Sequence, residues 1–507
     1  MPYFVNKLNQ STYQATGLLE NGLLFNTAAD QIVLFEGATI SASNGGDGIL
    51  GGVSSSGSYM LLSGSVLSAD KAGIYAFSGG HMVSVSSSGV VFGKTGGIVL
   101  TAGGNMVENR GIVGSATAAG ISAALSNNYV TNLGSISGAL GVVAGSFGSA
   151  NNVVVNSGSI TSTDVSVTLH GDGSSLTNSG LIRSTGFTAP AAIELYASAG
   201  ETVSVVNTGT IESYHGFGRA IWGSNSSDRI TNQGEIRGGI DLDMGNDLYD
   251  GRGGTITGYV SLGHGNDTAY GGGGDETFAD GIGDDFIDGG SGIDTVIVKS
   301  FALPSGATRV DLRITTPQLV GVEAGRDRFV GIENLTGGDG DDEFIGTNGA
   351  NTLFGDGGVD TLEGGLGNDV LDGGVGFDYA RFTGSTGARV SLTKITAQAT
   401  GYGTDKIINI EGLIGGSGGD NFIGDGSYNQ LIGNAAMTAY RAEMGTTYLG
   451  AALATIGSPA ARKKTALYST RRSTPKRTLT RSPTSSAWTI PSGWRTPSSR
   501  SWYRLAT

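Results

Sequence analysis

The sequence predicts an all-β fold: an N-terminal right-handed parallel β-helix is followed by parallel β-roll blocks, and the C-terminal tail is disordered. Three observations support this prediction. A loose repeat of 22 to 29 residues with strand composition runs through the first half, a strict nine-residue repeat runs through the second half, and glycine accounts for 90 of the 507 residues. Repeats of these lengths are typical of solenoids, in which each coil stacks on the next.

The longer repeat covers residues 37–237, and residues 1–36 are expected to cap it. Its clearest mark is an Asn-x-Gly motif that begins at Asn109, Asn132, Asn156, Asn178, Asn207 and Asn232. Alternating β-branched residues precede each copy, so each coil is expected to form three short strands with Val, Ile and Leu pointing inward. We expect the asparagines to stand at a fixed turn, where asparagine tolerates a left-handed conformation, and to stack in hydrogen-bonded ladders.

This motif resembles the coils of bacterial autotransporter-like and adhesin-like passenger domains. An array of β-sandwiches is the main alternative for a repeat of this strand composition.

The nine-residue repeat follows the pattern Gly-Gly-x-Gly-x-Asp-x-apolar-x, and GGSGIDTVI at residues 289–297 is a complete copy. Two spacers divide it into three blocks: block 238–297, spacer 298–336, block 337–381, spacer 382–414 and truncated block 415–435. Glycine fills the turn because the turn needs left-handed backbone. The next three residues form a strand whose middle side chain points to the core, as predicted for Ala269, Phe278, Ile287 and Val296.

The acid in sixth place is the candidate metal ligand. These acids are expected to line up along one edge, where two carboxylates ~5 Å apart repel by roughly 3 kcal/mol at an effective dielectric of about 20. A hard divalent cation removes that repulsion, so folding is expected to depend on the metal. The predicted ligands are Asp247, Asp267, Glu276, Asp285, Asp294, Asp342, Asp360, Asp369, Asp378 and Asp420. Asn351 and Asn429 are neutral at this place, and Asp280 stands where glycine is usual.

The nine-residue repeat resembles that of the hemolysin-type calcium-binding family, the RTX proteins. The resemblance implies Ca2+ as the bound ion and a protein secreted to the extracellular space or cell surface. RTX proteins leave the cell through a type I secretion apparatus, and the start of this sequence lacks the profile of a cleavable signal. A flexible acidic linker is the alternative, but a linker has no reason to keep an apolar residue in eighth place.

We therefore expect a secreted calcium-binding protein of structural, adhesive or matrix type, with a cell-surface glycan or matrix as its partner. No nucleic-acid module and no apolar run of 18 residues occurs, so neither nucleic-acid binding nor a membrane span is predicted. Cysteine is absent, which excludes disulfides and thiolate metal sites.

A carbohydrate-active enzyme on the β-helix, either a polysaccharide lyase or an epimerase, is the alternative function. The four histidines form no His-Glu-x-x-His motif, and neither a phosphate-binding loop nor a nucleophile elbow is present. The best catalytic cluster is Glu212, Tyr214, His215, Arg219 and Trp222. Solvated residues at one corner of a coil explain these five equally well, so we do not predict an enzyme.

The tail over residues 436–507 differs from the rest of the chain. Residues 435–507 carry 12 Lys and Arg against one Glu, whereas residues 1–434 carry 18 against 43 acids. Read one base out of frame, Met437–Thr438 must encode Asp and Met444–Gly445 must encode Gly, and the shifted reading permits GNDRLSGRDGNDVLRGGAGNDRLAGG.

This shifted reading continues the nine-residue register, so we interpret the tail as frameshifted near Ala435 and expect it to be disordered. A natural pseudogene and a sequencing error both account for the shift. The frame-corrected protein is the form expected to meet the type I apparatus. A real basic tail that binds nucleic acid or membrane is the alternative, and resequencing the coding DNA distinguishes the two.

Overall fold

The computed structural model of the protein shows strands and no helix in its described segments. These segments are residues 5–9, 12–15, 18–20, 22–25, 30–43, 45–52, 56–214, 218–298, 306–322, 324–433, 439–442, 447–451 and 467–469. Residues 1–468 form one unit. The tail predicted to be frameshifted lies outside the described residues, apart from the strands Ala439–Ala442, Thr447–Ala451 and Leu467–Ser469.

Three parallel sheets form the first half of the chain, and consecutive strands along the chain pass from sheet A to sheet B to sheet C. Sheet A contains Thr12–Ala15, Gln31–Leu34, Tyr59–Leu62, Met82–Val85, Met106–Asn109, Tyr129–Asn132, Val153–Asn156, Ser174–Asn178, Thr202–Asn207, Ser227–Asn232, Leu248–Asp250, Thr268–Tyr270, Phe286–Asp288 and Gly325–Val330. Val5–Asn9 and Gln318–Gly321 pair antiparallel at its two ends.

Sheet B is the shortest of the three. It contains Leu18–Glu20, Thr39–Ala42, Ser65–Ser68, Val90–Gly93, Ile112–Ser115, Ser135–Gly138, Ser159–Ser162, Leu181–Ser184, Thr210–Ser213, Glu235–Arg237 and Thr255–Ile256.

Sheet C continues furthest along the chain of these three sheets. Its parallel strands are Leu23–Phe25, Ile49–Gly51, Ala72–Ala76, Gly96–Leu100, Ala119–Ala123, Leu140–Ala144, Val167–His170, Ile193–Tyr196, Arg219–Trp222, Gly239–Asp241, Val260–Ser261, Thr277–Ala279, Thr295–Ile297, Asn334–Thr336, Thr352–Phe354, Val370–Asp372 and Thr404–Ile408. Gln398–Ala399 pairs antiparallel with the last of them.

A fourth parallel sheet, sheet D, lies in the second half of the chain, where its strands alternate along the sequence with the later strands of sheet C. It contains Arg309–Asp311, Glu343–Ile345, Thr361–Glu363, Tyr379–Arg381, Gly412–Ile414, Asn429–Gly433 and Thr447–Ala451. Shorter pairings join Gly357–Gly358 to Val375–Gly376, and Asn421–Ile423 to both Arg389–Ser391 and Ala439–Ala442.

The β-helix passes into the β-roll without a break in its ladders. Sheet B ends at Thr255–Ile256, about one coil after the predicted boundary at residue 237, while sheets A and C continue through Thr268–Tyr270 and Thr277–Ala279. A coil with three strands therefore becomes a coil with two, because two nine-residue units contain only two strands. Parallel coils also begin at Thr12–Ala15, inside the range predicted as a cap.

The core is a continuous apolar column inside the coils. The eighth-place residues Ala269, Phe278, Ile287 and Val296 are fully buried, as the nine-residue pattern predicts. In the β-helix, the strand register places the same type of side chain at one core position in successive coils, as for Val107, Val130 and Val154. In the described part of the chain, no helix is long and apolar enough to cross a membrane.

Asparagine ladders stabilise the β-helix. The side-chain amide of each motif asparagine donates to the side-chain oxygen of the next, from Asn109 to Asn132 at 2.8 Å and from Asn132 to Asn156 at 2.7 Å, and all are fully buried. The expectation of ladders is confirmed. The asparagines are the last residues of extended strands, next to the turn and not within it, so the left-handed conformation that asparagine tolerates is not used there. The described non-glycine residues with positive φ are Leu125, Asn127, Asn151, Asp243, Asp356 and Asn409.

Candidate metal sites

One hydrogen bond recurs along the β-roll. The carboxylate in sixth place accepts, through Oδ1, the backbone N–H of the equivalent residue one coil earlier. Asp267 accepts from Asp247 at 2.7 Å, Asp285 accepts from Asp267 at 2.7 Å, and Asp360 accepts from Asp342 at 2.8 Å. Each carboxylate is therefore held in place by the coil that precedes it.

The carboxylates form rows along more than one edge, so the prediction of a single edge is wrong. Each nine-residue unit is half a coil, and stacked partners are consequently 18 residues apart, as for Asp267 and Asp285. Asp247, Asp267 and Asp285 precede strands of sheet A; Glu276, Asp294 and Asp369 precede strands of sheet C; Asp342, Asp360 and Asp378 precede strands of sheet D; Asp420 precedes Asn421–Ile423.

Oδ2 of Asp342 accepts the backbone N–H of Gly338 at 3.2 Å, but in most of these acids the second carboxylate oxygen has no such bond. It is buried and lacks a hydrogen-bond partner of ordinary geometry in Asp247, Asp267, Asp285, Asp294, Asp327, Asp360, Asp369 and Asp378. An unpaired oxygen of this kind costs free energy, about 1–3 kcal/mol for a neutral polar group and more for a charged one. Burial, together with the charge of neighbouring acids, raises the pKa of Asp247 to about 9 and that of Asp267 to about 8.

Glycine in first place makes room for this oxygen. A Cβ at Gly355 would lie 2.1 Å from Oδ2 of Asp360, and one at Gly364 would lie 2.3 Å from Oδ2 of Asp369. Glycine in fourth place instead allows the backbones of adjacent coils to approach closely. At Gly283 φ is +142°, and a Cβ would lie 1.8 Å from the carbonyl oxygen of Gly265 in the preceding coil. The repeat thus brings carboxylate and carbonyl oxygens together at each turn.

These donors fit calcium. They are all hard oxygen atoms, and several of the carboxylate oxygens are buried without a partner, which is the arrangement that a cation with six to eight oxygen ligands satisfies. Asp267, Asp285, Asp294, Asp360, Asp369 and Asp378 are the residues that would hold it. At Asn351 and Asn429 an amide takes this place, so those turns offer less charge.

The same corner of the coil carries amides in the β-helix. The backbone N–H of Asn105 donates to Oδ1 of Asn128 at 3.2 Å, and that of Asn128 donates to Oδ1 of Asn152 at 3.1 Å. Their Nδ2 atoms find acceptors too, including Ala124 O at 2.8 Å from Asn128. In the β-roll, an amide at this place is satisfied at Asn351, whose Nδ2 donates to the carbonyl oxygen of Glu333 at 2.7 Å, but Nδ2 of Asn429 is buried without a partner. The amide ladder of the β-helix is therefore satisfied by acceptors of its own turns, whereas the carboxylate rows of the β-roll leave oxygens for a cation.

Both spacers contribute acids that the sequence analysis missed. Asp327 accepts the backbone N–H of Asp285 at 2.8 Å, and Asp405 accepts that of Asp369 at 3.0 Å. Glu333 and Glu411 accept from Asp294 and Asp378 in the same way. A signal was present, because VEAGRDRFV and TGYGTDKII keep glycine in fourth place, aspartate in sixth and an apolar residue in eighth.

The cluster proposed for catalysis is divided between two sheets. Glu212 lies in sheet B, where it is buried and pairs with Arg183 at 2.8 Å, whereas Arg219 and Trp222 lie in sheet C. Tyr214 follows the sheet B strand, and His215 lies outside the described residues. The described members therefore do not form one site.

A different group meets on sheet C. Glu194, Tyr196, Trp222 and Asp243 line a pocket of about 150 Å³. The Tyr196 hydroxyl donates to Glu194 at 2.8 Å, and its ring stacks on His170 with centroids 4.7 Å apart. Burial raises the pKa of Glu194, although the bond from Tyr196 opposes this. The coil register brings residues of successive coils together here, such as Tyr196 and Trp222, and the sequence pattern does not reveal that register.

Comparison with protein families identifies the repeat. The model of the RTX calcium-binding nonapeptide repeat, which describes four copies of the unit, matches three segments: residues 263–296, 327–362 and 345–380. These segments include Asp267, Asp285, Asp294, Asp360 and Asp369, and also Asp327 from the first spacer. A comparison with curated proteins finds no match.

Proposed function

We propose that this chain, which carries RTX calcium-binding repeats, is an extracellular structural, adhesive or matrix protein whose β-roll completes its folding on binding calcium. Export through a type I secretion apparatus is part of the proposal, since the repeats are typical of proteins that use that route. A non-catalytic role is proposed because the described residues of the predicted catalytic cluster lie on separate sheets.

The main support for the proposal is a row of carboxylates in which only one of the two oxygens has a hydrogen-bond partner. Each of Asp247, Asp267 and Asp285 accepts a backbone N–H of the preceding coil through Oδ1, and its Oδ2 is buried without a partner. A fold that only needed the backbone contact would be satisfied by asparagine, as the helix is at Asn128. Carboxylates at this place favour a function that uses a cation.

The test is the calcium dependence of the folded state. Far-ultraviolet circular dichroism and urea unfolding of the full chain, first in chelator and then in a calcium titration, should show strand content and stability rising with calcium. The midpoint should fall near 10⁻⁴–10⁻³ M, about the range of extracellular calcium modules. Magnesium at the same concentration is the control, because it demands a smaller octahedral shell.

A matched pair of variants assigns the effect to the roll. Asp369→Ala should weaken the response to calcium, whereas Asp172→Ala in the β-helix should leave it unchanged. Equal responses of the two variants, or a spectrum and stability indifferent to millimolar calcium, would count against the proposal.

The proposed partner is a glycan, and the pocket on sheet C supports it. Tyr196 and Trp222 line this pocket beside the carboxylates of Glu194 and Asp243. His170 stacks on the Tyr196 ring and Arg219 lies over the Trp222 ring, and Tyr196 is 46 % exposed. Aromatic rings next to carboxylates suit the apolar face and the hydroxyls of a sugar ring. Trp222→Ala should reduce binding of the calcium-loaded chain to a glycan array. Phe147→Ala, which removes an almost fully exposed ring elsewhere on the helix, is the control. Equal retention by both variants would reject this surface.

A further inference from the structure

The pocket on sheet C carries charge of one sign only. Its described lining contains two acids, Glu194 and Asp243, and no lysine, arginine or histidine. Burial raises the pKa of both acids, and the nearby charges of Asp164 and Asp241 add to the rise at Glu194 and at Asp243 respectively. The pocket is therefore an acidic cavity with further acids close behind its wall.

Two basic residues lie beside the pocket, and neither balances this charge. Arg219 pairs with Asp241 at 2.9 Å and lies over the Trp222 ring, 5.0 Å from its centroid, so it offsets the charge of Asp243 only in part. His170 stacks on the Tyr196 ring, and burial lowers the pKa of His170, so this imidazole is neutral at pH 7.

Each acid of the pocket receives a hydrogen bond from a neutral aromatic side chain. The Tyr196 hydroxyl donates to Oε2 of Glu194 at 2.8 Å, and the indole N–H of Trp222 donates to Asp243. These bonds hold the carboxylates beside the rings but bring no positive charge. Glu194 is only 9 % exposed, and a buried carboxylate without a counter-charge is costly.

The strand register shows that packing does not require an acid at this position. Glu194 belongs to a column of sheet C in which the two preceding coils place Val143 and Thr168. The parallel ladder continues through these neutral side chains without a change of register. The acid therefore adds a cost that the coil itself does not demand, which points to a ligand.

We propose that the pocket binds an amino sugar, a sugar unit with a free protonated amine. An ammonium group supplies the positive charge and the N–H donors that Glu194 and Asp243 lack, and it is also attracted to the face of an aromatic ring such as the partly exposed Tyr196. A uronate or a sulfated sugar is repelled by the same acids. The inference rests on the proposed function, in which this pocket takes a glycan.

Isothermal titration of short glucosamine oligomers into the calcium-loaded full chain tests this inference, at pH 6, where an aliphatic amine is protonated. N-acetylglucosamine oligomers of the same length are the comparison, because they keep the sugar ring and lose the charge. We expect the free amine to bind at least about ten-fold more tightly, the gain that hydrogen bonds between an ammonium and a carboxylate provide. Added salt should reduce this preference, since salt screens charge.

Charge-removing variants assign the preference to the pocket. Glu194→Gln keeps an acceptor for Tyr196 but loses the charge, so its affinity for glucosamine oligomers should fall towards that for the N-acetylated form, which should hardly change. Asp243→Asn should behave in the same way. Glu108→Gln, which removes one charge from sheet A, is the matched control and should bind as the parent does. Circular dichroism in calcium verifies that each variant is folded.

The outcomes separate this inference from the proposed function. Equal affinity of the parent for the two oligomers, or a preference that persists in both pocket variants, would overturn the amino sugar and leave a glycan as the partner. A lysine peptide that bound as tightly as the glucosamine oligomer would also overturn it, because the sugar would then contribute nothing. Failure of the folded, calcium-loaded parent to bind either oligomer would reject the glycan pocket as well, while calcium-dependent folding would stand.

Discussion

The backbone N–H of Asp247 donates to Oδ1 of Asp267 at 2.7 Å, and Oδ2 of Asp267 remains buried without a partner. At the same corner of the coil in the β-helix, the backbone N–H of Asn105 donates to an amide oxygen, Oδ1 of Asn128. The two halves of the solenoid thus share one structural device. The halves differ in the second atom of the side chain: Nδ2 of Asn128 donates to oxygens of the protein, whereas Oδ2 of Asp267 has no partner and is free to bind a cation.

The first prediction exchanges that atom. Asp267→Asn keeps the acceptor for Asp247 and replaces a buried ionisable oxygen by a neutral amide nitrogen, so at pH 9, above the pKa of about 8 for Asp267, the metal-free protein should gain about 1–3 kcal/mol in unfolding free energy. Its further stabilisation by calcium should shrink. Urea unfolding with chelator and with calcium measures both quantities.

Asp267→Ala is the comparison for that experiment. It removes the acceptor as well, leaving the Asp247 N–H unpaired, and should destabilise the protein in both conditions. If the asparagine variant resembled the alanine variant without calcium, the unpartnered oxygen would not be the source of the instability.

The second prediction concerns the amide ladder. Asn132 accepts from Asn109 and donates to Asn156, so Asn132→Ala leaves one donor and one acceptor buried without partners. We expect a loss of about 1–3 kcal/mol for each. The loss should be the same with and without calcium, since no carboxylate is involved.

Thermal melts in both conditions check this prediction. Ser157→Ala, at an exposed position beside the ladder, should change stability by no more than about 0.5 kcal/mol. If the loss of stability caused by Asn132→Ala depended on calcium, the asparagine ladder of the β-helix would be energetically coupled to calcium binding in the β-roll.

Sequence reasoning identified the period and the inward face, because Phe278 and Ile287 recur at a fixed place and are buried. It misplaced the carboxylates, since a nine-residue period does not say whether one unit is a full coil or half of one; the pairing of Asp267 with Asp285 decides that. Asp327 was overlooked because its unit has lost all glycines but one. Spatial neighbours from distant coils, such as those at the sheet C pocket, depend on register alone.

The third prediction tests the room left by first-place glycine. Gly355→Ala puts a methyl group 2.1 Å from Oδ2 of Asp360 and should cost about 1–3 kcal/mol, as overpacking does. The penalty should be larger with calcium, because a bound ion fixes the carboxylate that must otherwise move aside. Calorimetric melts with and without calcium measure the difference.

Gly273→Ala is the matched control in the same repeat. A Cβ at Gly273 meets nothing within 4 Å, so this variant should melt within experimental error of the parent or slightly above it. Equal costs at Gly273 and Gly355 would indicate that glycine is needed for backbone freedom and not for the carboxylate.

The fourth prediction is the pH dependence of the metal-free roll. Aspartate has an ordinary pKa of 3.8, and burial raises the pKa of Asp247 to about 9 and that of Asp267 to about 8 in the folded chain. The folded state therefore binds more protons than the unfolded state between about pH 4 and these values, and stability falls as pH rises through that window. Without calcium, the roll should be more stable at pH 5 than at pH 8.

Calcium should reverse the loss at pH 8, because the cation takes the place of the protons and their release accompanies binding. Urea unfolding at pH 5, 7 and 8 in chelator gives the slope, and titration in two buffers with different heats of protonation counts the protons released. The double variant Asp247→Asn, Asp267→Asn should flatten the slope, since neither amide titrates. Stability that rose with pH in the metal-free parent would mean that these carboxylates are ionised and paired within the fold, and the rows would then have no need of an ion.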